Sequence, residues 1–272
     1  MVKKNIVIVT DCKDIALEQV KARLISILPD DDLTFFYLIT PPFKINNGLF
    51  LSKLISEEIP HGKNTLFLAI INPLKMKPKR IFGRLKNGTW FVGADTGIFS
   101  LLFKDFGIAE VYEGKNQDHY PFGGLHVHTV TAGKLLSGVS EEEIGNKIDD
   151  KKINQIIPRK GEVIHIDNFG LIKIWTKVSD FDLMDGDRIK VKISNSDKTL
   201  EGIFSNRMMS YGDESLIVYP GSSLLDKRLL DDVDKYRKSG LIEIGLVRNP
   251  NSAGELGINL GDVIEIIKID KK

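Results

Sequence analysis

The hydrophobic pattern of this 272-residue chain changes its period once, and that change constrains the fold more than any other feature. From Asn5 to about Gly138, aliphatic runs alternate with stretches whose apolar residues recur every three to four positions. Residues 6–9 (Ile-Val-Ile-Val) form an unbroken aliphatic run, as a strand buried on both faces requires. Asp14 then stands where a helix cap belongs, Leu17, Val20, Leu24, Ile27 and Leu28 keep helical spacing, and Pro29 closes the segment. The same reading predicts strands over 33–39, 65–71 and 90–92, a helix over 49–59 stopped by Pro60, and a helix over 98–103. Strands that alternate with helices imply a mainly parallel sheet with helices on both faces.

Beyond a charged stretch at 141–152, which reads as an exposed connector, the period becomes two. Ile172, Ile174 and Thr176 alternate with Lys173, Trp175 and Lys177, and Ile189, Val191 and Ile193 alternate with lysines. Further strands are expected over 216–219, 241–247 and 263–269, separated by Gly, Asn and Asp clusters. The second half is therefore expected to be a smaller antiparallel β-barrel-like domain. The fold class is α/β followed by β, with domains at 1–150 and 151–272, in keeping with about 150 residues per domain. Residues 231–238 read as a charged, solvated helix or loop, and no internal repeat is present.

Composition narrows the function classes. With 38 basic and 37 acidic side chains the net charge is +1, which argues against a protein that grips nucleic acid by charge. The single cysteine, Cys12, excludes an internal disulfide framework and a Cys-rich zinc module, and a reducing, cytoplasmic setting is the simplest expectation. No apolar run approaches the roughly 18–20 residues that span a bilayer, and the N-terminal apolar run is too short for a signal peptide and ends at Asp11. No membrane, nucleic-acid, metal or cofactor partner is expected.

Candidate chemistry sits at the carboxyl ends of the predicted parallel strands, where ligands collect in such sheets. Asp11 follows the first strand, Asn72-Pro73 the third, and Asp95-Thr96-Gly97 the fourth. A carboxylate there can accept both hydroxyl protons of a ribose, although helix capping is the commoner use of such an Asp. Lys75, Lys77, Lys79 and Arg80 form a local cationic loop, read either as an anion clamp or as a solvated turn. His119, His126 and His128 near Asp118 resemble metal ligands in type, but an i, i+2 pair on a helix points to different faces. Gly123-Gly124 at a helix start offers backbone N–H groups to an anion or a water. Cys12 has no local histidine partner that would make it a nucleophile. In the second half, Phe169 and Trp175 either pack the barrel or sandwich a purine, and the turns at Ser239-Gly240 and Asn251-Ser252-Ala253 present backbone groups.

In their order along the chain these pieces resemble the S-adenosyl-L-methionine hydroxide adenosyltransferases, relatives of the fluorinase and chlorinase enzymes. The resemblance is carried by Val9-Thr10-Asp11, Ile71-Asn72-Pro73 with Lys79-Arg80, Ala94-Asp95-Thr96-Gly97, Phe122-Gly123-Gly124, Asp167-Asn168-Phe169-Gly170, Ser239-Gly240 with Glu243, and Asn251-Ser252-Ala253 before Gly261-Asp262. It implies a homotrimer whose ligand lies between one subunit's first domain and the next subunit's second. It implies S-adenosylmethionine as substrate rather than cofactor, attacked at ribose C5′ by water or hydroxide to give adenosine and methionine. Asn72, Lys79, Arg80 and Gly124 then fall at the reaction centre, and Asp11, Asp95, Asp167, Phe169, Ser239, Asn251 and Ala253 at the nucleoside.

The chain departs from the family pattern at informative places. Asn72 stands for the acid of the Asp-Pro-Gly loop, Lys79 for the arginine seven positions on, and Gly123 for the histidine after the phenylalanine. Leu171 and Lys238 stand for second-domain asparagines, and Leu74-Lys75-Met76 for a glycine-rich turn. Asn72 can orient water but has no useful proton affinity, and Lys79 lacks the fork of arginine. His126 or His128 replaces the missing imidazole only if the loop is rebuilt. Two readings follow: a hydrolase-like enzyme, slow or with altered chemistry, or a non-catalytic S-adenosylmethionine or adenosine binder. A third is a divergent scaffold whose pocket serves another small molecule or none.

Overall fold

Residues 6–9 do form a strand whose side chains are wholly buried, and the first sheet is built outward from it. The computed structural model describes residues 2–73, 77–118, 120–194 and 198–269. Leu74, Lys75, Met76 and His119 lie outside the described residues. The chain divides into two compact units, 1–157 and 158–272.

The first unit runs β1 (Lys3–Thr10), α1 (Ile15–Ile27), β2 (Asp32–Ile39), α2 (Ile45–Ser56), β3 (Thr65–Ile70), β4 (Arg80–Leu85), β5 (Trp90–Ala94), α3 (Ser100–Phe106), β6 (Ile108–Gly114), α4 (Thr129–Leu136), α5 (Glu141–Ile144) and β7 (Gly145–Lys147). Strand order is β2-β1-β3-β5-β4-β6-β7. The first four strands of that order are mutually parallel, whereas β4 is antiparallel to β5 and β6, and β6 to β7. The sheet is therefore parallel only in its first half. Helices α1 and α2 connect β1 to β2 and β2 to β3, β4 lies between β3 and β5 in the chain, and β4, β6 and β7 make up the antiparallel half. Helices cover both faces, as expected. Val20, Leu24, Ala132 and Leu135 of α1 and α4 pack with Ile6, Ile8, Leu66 and Leu68, while Phe99, Leu102 and Phe103 pack with Val7, Val9 and Phe67 on the other face. Each buried aliphatic or aromatic side chain contributes about 1.5–3 kcal/mol. Helix α2 lies so close to the sheet that a Cβ at Gly48 would meet Ile71 Cδ1, just after β3, at 2.7 Å and Val9 Cγ1 of β1 at 3.2 Å.

The 141–152 stretch is not a free connector. Its middle becomes β7, paired with β6 through Tyr112–Lys147 and Gly114–Gly145. The segment beyond residue 150 also packs on the first unit: Ile153 is buried, Asn154 binds Asp95, and the Ile156 N–H donates to Ser100 Oγ. That is why the division falls at 157 in the structure.

The second unit runs β8 (Val163–Ile166), β9 (Ile172–Lys177), β10 (Arg188–Ile193), β11 (Thr199–Phe204), β12 (Leu216–Pro220), α6 (Val233–Ser239), β13 (Leu241–Leu246), α7 (Ser252–Leu256) and β14 (Ile264–Lys268). The order is β14-β10-β11-β12-β13-β9-β8, antiparallel except for β11 beside β12. The sheet curls so that its two edges meet in a bridge between Glu162 and Val263. Ile172, Ile174, Ile189, Val191, Val218, Ile244 and Ile266 fill the interior, as the period of two predicts.

Lys173 breaks the expected pattern of outward, solvated lysines. It is only 8% exposed and lies in a row of polar residues that crosses four strands in lateral register. Tyr219 on β12 pairs with Glu243 on β13, Glu243 with Lys173 on β9, and Lys173 with His165 on β8. The Lys173 ammonium donates to Glu243 Oε1, and Tyr219 Oη donates to Glu243 Oε2 at 2.7 Å. Burial and the Lys173 charge hold the His165 imidazole below its ordinary pKa, and burial beside Glu243 pushes the Tyr219 phenol up.

Candidate active site

The parallel half of the first sheet ends its strands at a cleft of about 1030 Å³. Asp11 after β1, Ile70 to Pro73 after β3, and Ala94 at the end of β5 supply one wall. Lys77 to Arg80, entering β4, and Glu113, Gln117 and Asp118, leaving β6, supply another. Phe122 to Gly124 and His128 close it.

Asp11 is not the helix cap. Asp14 caps α1 by accepting from the Ala16 N–H at 3.0 Å. Asp11 Oδ2 accepts from the Phe43 N–H at 3.1 Å and the Asn72 N–H at 3.2 Å, so one carboxylate ties the loops after β2 and β3 together. Asn72 presents its side chain at the exposed rim. Lys79 Nζ is paired with Glu113 Oε2, but the lysine side chain is 64% exposed, and such a surface pair contributes at most about 1 kcal/mol. Arg80 is held more firmly: Nη1 donates to the carbonyls of Asn116 and Asp118 at 3.1 and 2.6 Å. Its guanidinium occupies the space above Gly123, where a Cβ would lie 3.0 Å from Nη2. A side chain at residue 123 would crowd the guanidinium, so glycine there makes room for Arg80.

Residues 124–128 form one turn of π-helix leading into α4, an irregularity that is rare and frequent at functional sites. Gly124 opens it against β3, with a Cβ position 2.4 Å from Ile70 Cγ2. The N–H groups of Leu125 and His126 are taken by the Phe122 carbonyl. Backbone strain gathers at the same cleft: Phe43 and Phe122 both have positive φ, at 66° and 53°. Burial, Asp11 and Asp14 push the Cys12 thiol above its ordinary pKa, against the Thr10 hydrogen bond, which disfavours the thiolate.

His128 and His126 take different places. His128 borders the cleft, whereas His126 borders a smaller cavity of about 200 Å³ that His128 and Arg80 also touch. No cluster of three or more metal-ligating side chains occurs among the described residues. The His128 ring is buried, and its Nδ1 lies 3.3 Å from the Ala69 carbonyl oxygen. A carbonyl only accepts, so Nδ1 carries the proton and Nε2 keeps its lone pair. Burial first, then the Arg80 charge, bring this imidazole down to about 4, against the Ala69 hydrogen bond.

This has a stability consequence. The unfolded chain takes up a proton near pH 6.5 that folded His128 refuses until about pH 4, so stability falls as pH drops through that window and levels off below it. The contribution is about 3 kcal/mol. His128→Gln is expected to flatten that part of the curve in urea unfolding followed from pH 7 to 4. Equal losses in both proteins would remove His128 as the cause.

Asp95 does not reach the cleft. It is buried, accepts from the Asn154 N–H at 2.9 Å and from Asn154 Nδ2 at 3.0 Å, and burial raises its pKa. In the second unit, Asp167 Oδ1 accepts from the N–H groups of Phe169 and Leu171 and so builds its own turn, leaving Phe169 62% exposed at the tip. The Ala253 N–H donates to the Gly170 carbonyl, and a Cβ at Gly170 would lie 2.8 Å from the Pro250 oxygen, so the turns bearing Phe169, Asn251 and Ala253 touch. Ser239 is at the other end of β13, roughly 20 Å along the strand. There Ser239 Oγ donates to the Tyr236 carbonyl and accepts from the Asp226 N–H.

Glu113, Gln117 and Phe43 are not legible as cleft residues from the sequence. Glu113 sits on a strand that the sequence pattern leaves unassigned, and the one available signal is the alternation of Val111 and Glu113.

Residues 6–145 match the family model for the SAM hydroxide adenosyltransferase N-terminal domain. The chain is 26% identical over 180 residues to the (R)-S-adenosyl-L-methionine hydrolase of Methanocaldococcus jannaschii. That match covers 64% of this chain and 65% of the relative, just under two thirds of its length. In fold the chain is similar to an uncharacterized conserved protein from Thermotoga maritima, with TM-score 0.73 and 20% identity over 98% of this chain and all of that one. It is also similar to a conserved hypothetical protein from Thermus thermophilus, with TM-score 0.69 and 18% identity over the same shares.

Proposed function

Because the chain belongs to the SAM hydroxide adenosyltransferase family, we propose that it acts on S-adenosylmethionine as a hydrolase, water attacking ribose C5′ with adenosine and methionine as products. The observation that supports this best is the cleft at the carboxyl ends of β1, β3 and β5, which lies within the segment matched by the family and is bordered by Asp11. In this reading Asp11 takes the ribose hydroxyls. Asn72 orients water, Arg80 and the weakly held Lys79 stabilise an anionic oxygen, and Gly124 lets the substrate approach the backbone. Hydroxide attack on a sulfonium consumes charge and attack by neutral water disperses it, so a desolvated cleft favours either transition state.

The proposal extends to assembly. The protein is a homotrimer in which Asp167, Phe169, Asn251 and Ala253 of a neighbouring subunit complete the nucleoside site. Ser239, at the far end of β13, lies outside that group. The setting is cytoplasmic, in keeping with a single cysteine. Light scattering with sedimentation should return about three times the 30.5 kDa chain mass.

Purified protein incubated with S-adenosylmethionine should release adenosine above a heat-killed control from neutral to alkaline pH. No adenosine anywhere in that range overturns hydrolysis. The second reading, a non-catalytic binder, is favoured by Asn72 and by Gly123 packed under Arg80, neither of which can take a proton. Heat on calorimetric titration with S-adenosylmethionine or adenosine, without turnover, is its signature.

A further inference from the structure

Among the described residues His128 is the imidazole that lines the cleft, and its surroundings define one chemical use. Nδ1–H is committed to the Ala69 carbonyl on β3, which fixes the tautomer and the ring orientation. Nε2 has no hydrogen-bond partner among the described residues. It is also not sealed: among the described residues, the fully enclosed unpartnered side-chain polar atoms are Arg84 Nε and Asn87 Nδ2. Nε2 is therefore not fully enclosed, on a residue that lines both the cleft and the smaller cavity. The charged group acting on the ring is Arg80, from the start of β4, and it disfavours a second positive charge there.

We propose that His128 is the general base of the reaction, accepting the proton of the attacking water through Nε2. The assignment rests on the hydrolase reading above. As the water oxygen forms its bond to C5′, the C5′–S bond breaks and its electron pair quenches the sulfonium. One water proton passes to Nε2 and is later released to solvent, so S-adenosylmethionine and water yield adenosine, methionine and one proton. Water bonded to C5′ without losing its proton is an oxonium, a far stronger acid than an imidazolium, so even a weakly basic imidazole is competent to take that proton. A ring that stays neutral at physiological pH also adds no repulsion beside the sulfonium.

The test uses the full chain and S-adenosylmethionine. His128→Gln keeps a donor for Ala69 and removes the imidazole. Its kcat should fall about 100-fold, while KM and the calorimetric affinity for adenosine stay within about threefold. A variant with wild-type kcat overturns the assignment and is also the result expected if Nε2 serves the smaller cavity instead. Should the variant fold poorly, the wild-type rate profile decides. A plateau down to about pH 5 with a fall below it supports His128, whereas an inflection near 6.5 overturns it. A wild type that forms no adenosine overturns hydrolysis itself and this assignment with it. An active wild type with an equally active His128→Gln overturns only the assignment.

Discussion

Glu243→Leu is expected to lower the unfolding free energy of the second unit by about 3–5 kcal/mol. Glu243 and Lys173 are 4% and 8% exposed, so each charge has left water and depends on the other. Without the carboxylate, the ammonium keeps only Asp167 Oδ2 at 3.8 Å, and Tyr219 loses the acceptor of its hydroxyl. A buried pair often adds little net stability, because attraction does little more than offset desolvation, yet breaking one side strands the other. The double variant Lys173→Met with Glu243→Leu should therefore recover most of the loss. Trp175 lies in the second unit and Trp90 in the first, and the chain has two tryptophans, so a Trp90→Phe background gives a fluorescence report on the second unit alone. If the double variant is as unstable as the single one, packing rather than charge accounts for the row.

Asp11→Ala is expected to weaken adenosine binding by about 100-fold, or about 2.7 kcal/mol. Two effects combine. The ribose loses a charged acceptor, and the N–H groups of Phe43 and Asn72 lose the oxygen that ties their loops, each such bond being worth roughly 1.5–3 kcal/mol. Asp11→Asn separates them, since an amide oxygen can keep the loop tie without the charge. Asn should fall between wild type and Ala on calorimetric titration, with the oligomer unchanged in all three. Affinity unaltered in Asp11→Ala removes the residue from the ligand site.

How far the sequence discloses these features depends on where the determining contacts lie. The strands at 6–9, 65–70 and 90–94 are legible because burial on both faces forces aliphatic runs, and α1 because Asp14 caps it locally. Strand β4 is not, because Arg80, Gly83 and Arg84 weaken its pattern. Gly83 is needed there by a neighbour 27 residues later, the Glu110 carbonyl, 2.2 Å from its Cβ position. Strand β7 is three residues long and exists only by pairing with β6. At the cleft, Asp11 and Asn72 are legible because they follow parallel strands, and Lys79, Arg80 and Gly124 because a cationic loop and a glycine pair at a helix start stand out in the sequence. Asp95 satisfies the same strand-end rule but is claimed by Asn154, a partner nothing in the local sequence announces. Lys173 reads as one more outward lysine until Glu243 and Tyr219 are seen beside it.

That row of Tyr219, Glu243, Lys173 and His165 also governs how the barrel can be recombined. A slip of β9 by one residue brings an isoleucine, Ile172 or Ile174, opposite both Glu243 and His165, so the four strands accept one alignment. Lys190 and Lys192, exposed on β10, face no such demand and can drift singly. A hairpin transplanted from a related barrel will assemble only if it brings its own share of the row in matching chemistry. Strands β12, β13, β9 and β8 are therefore inherited as a block, while β10 and β14, at the other end of the strand order, can be exchanged one at a time.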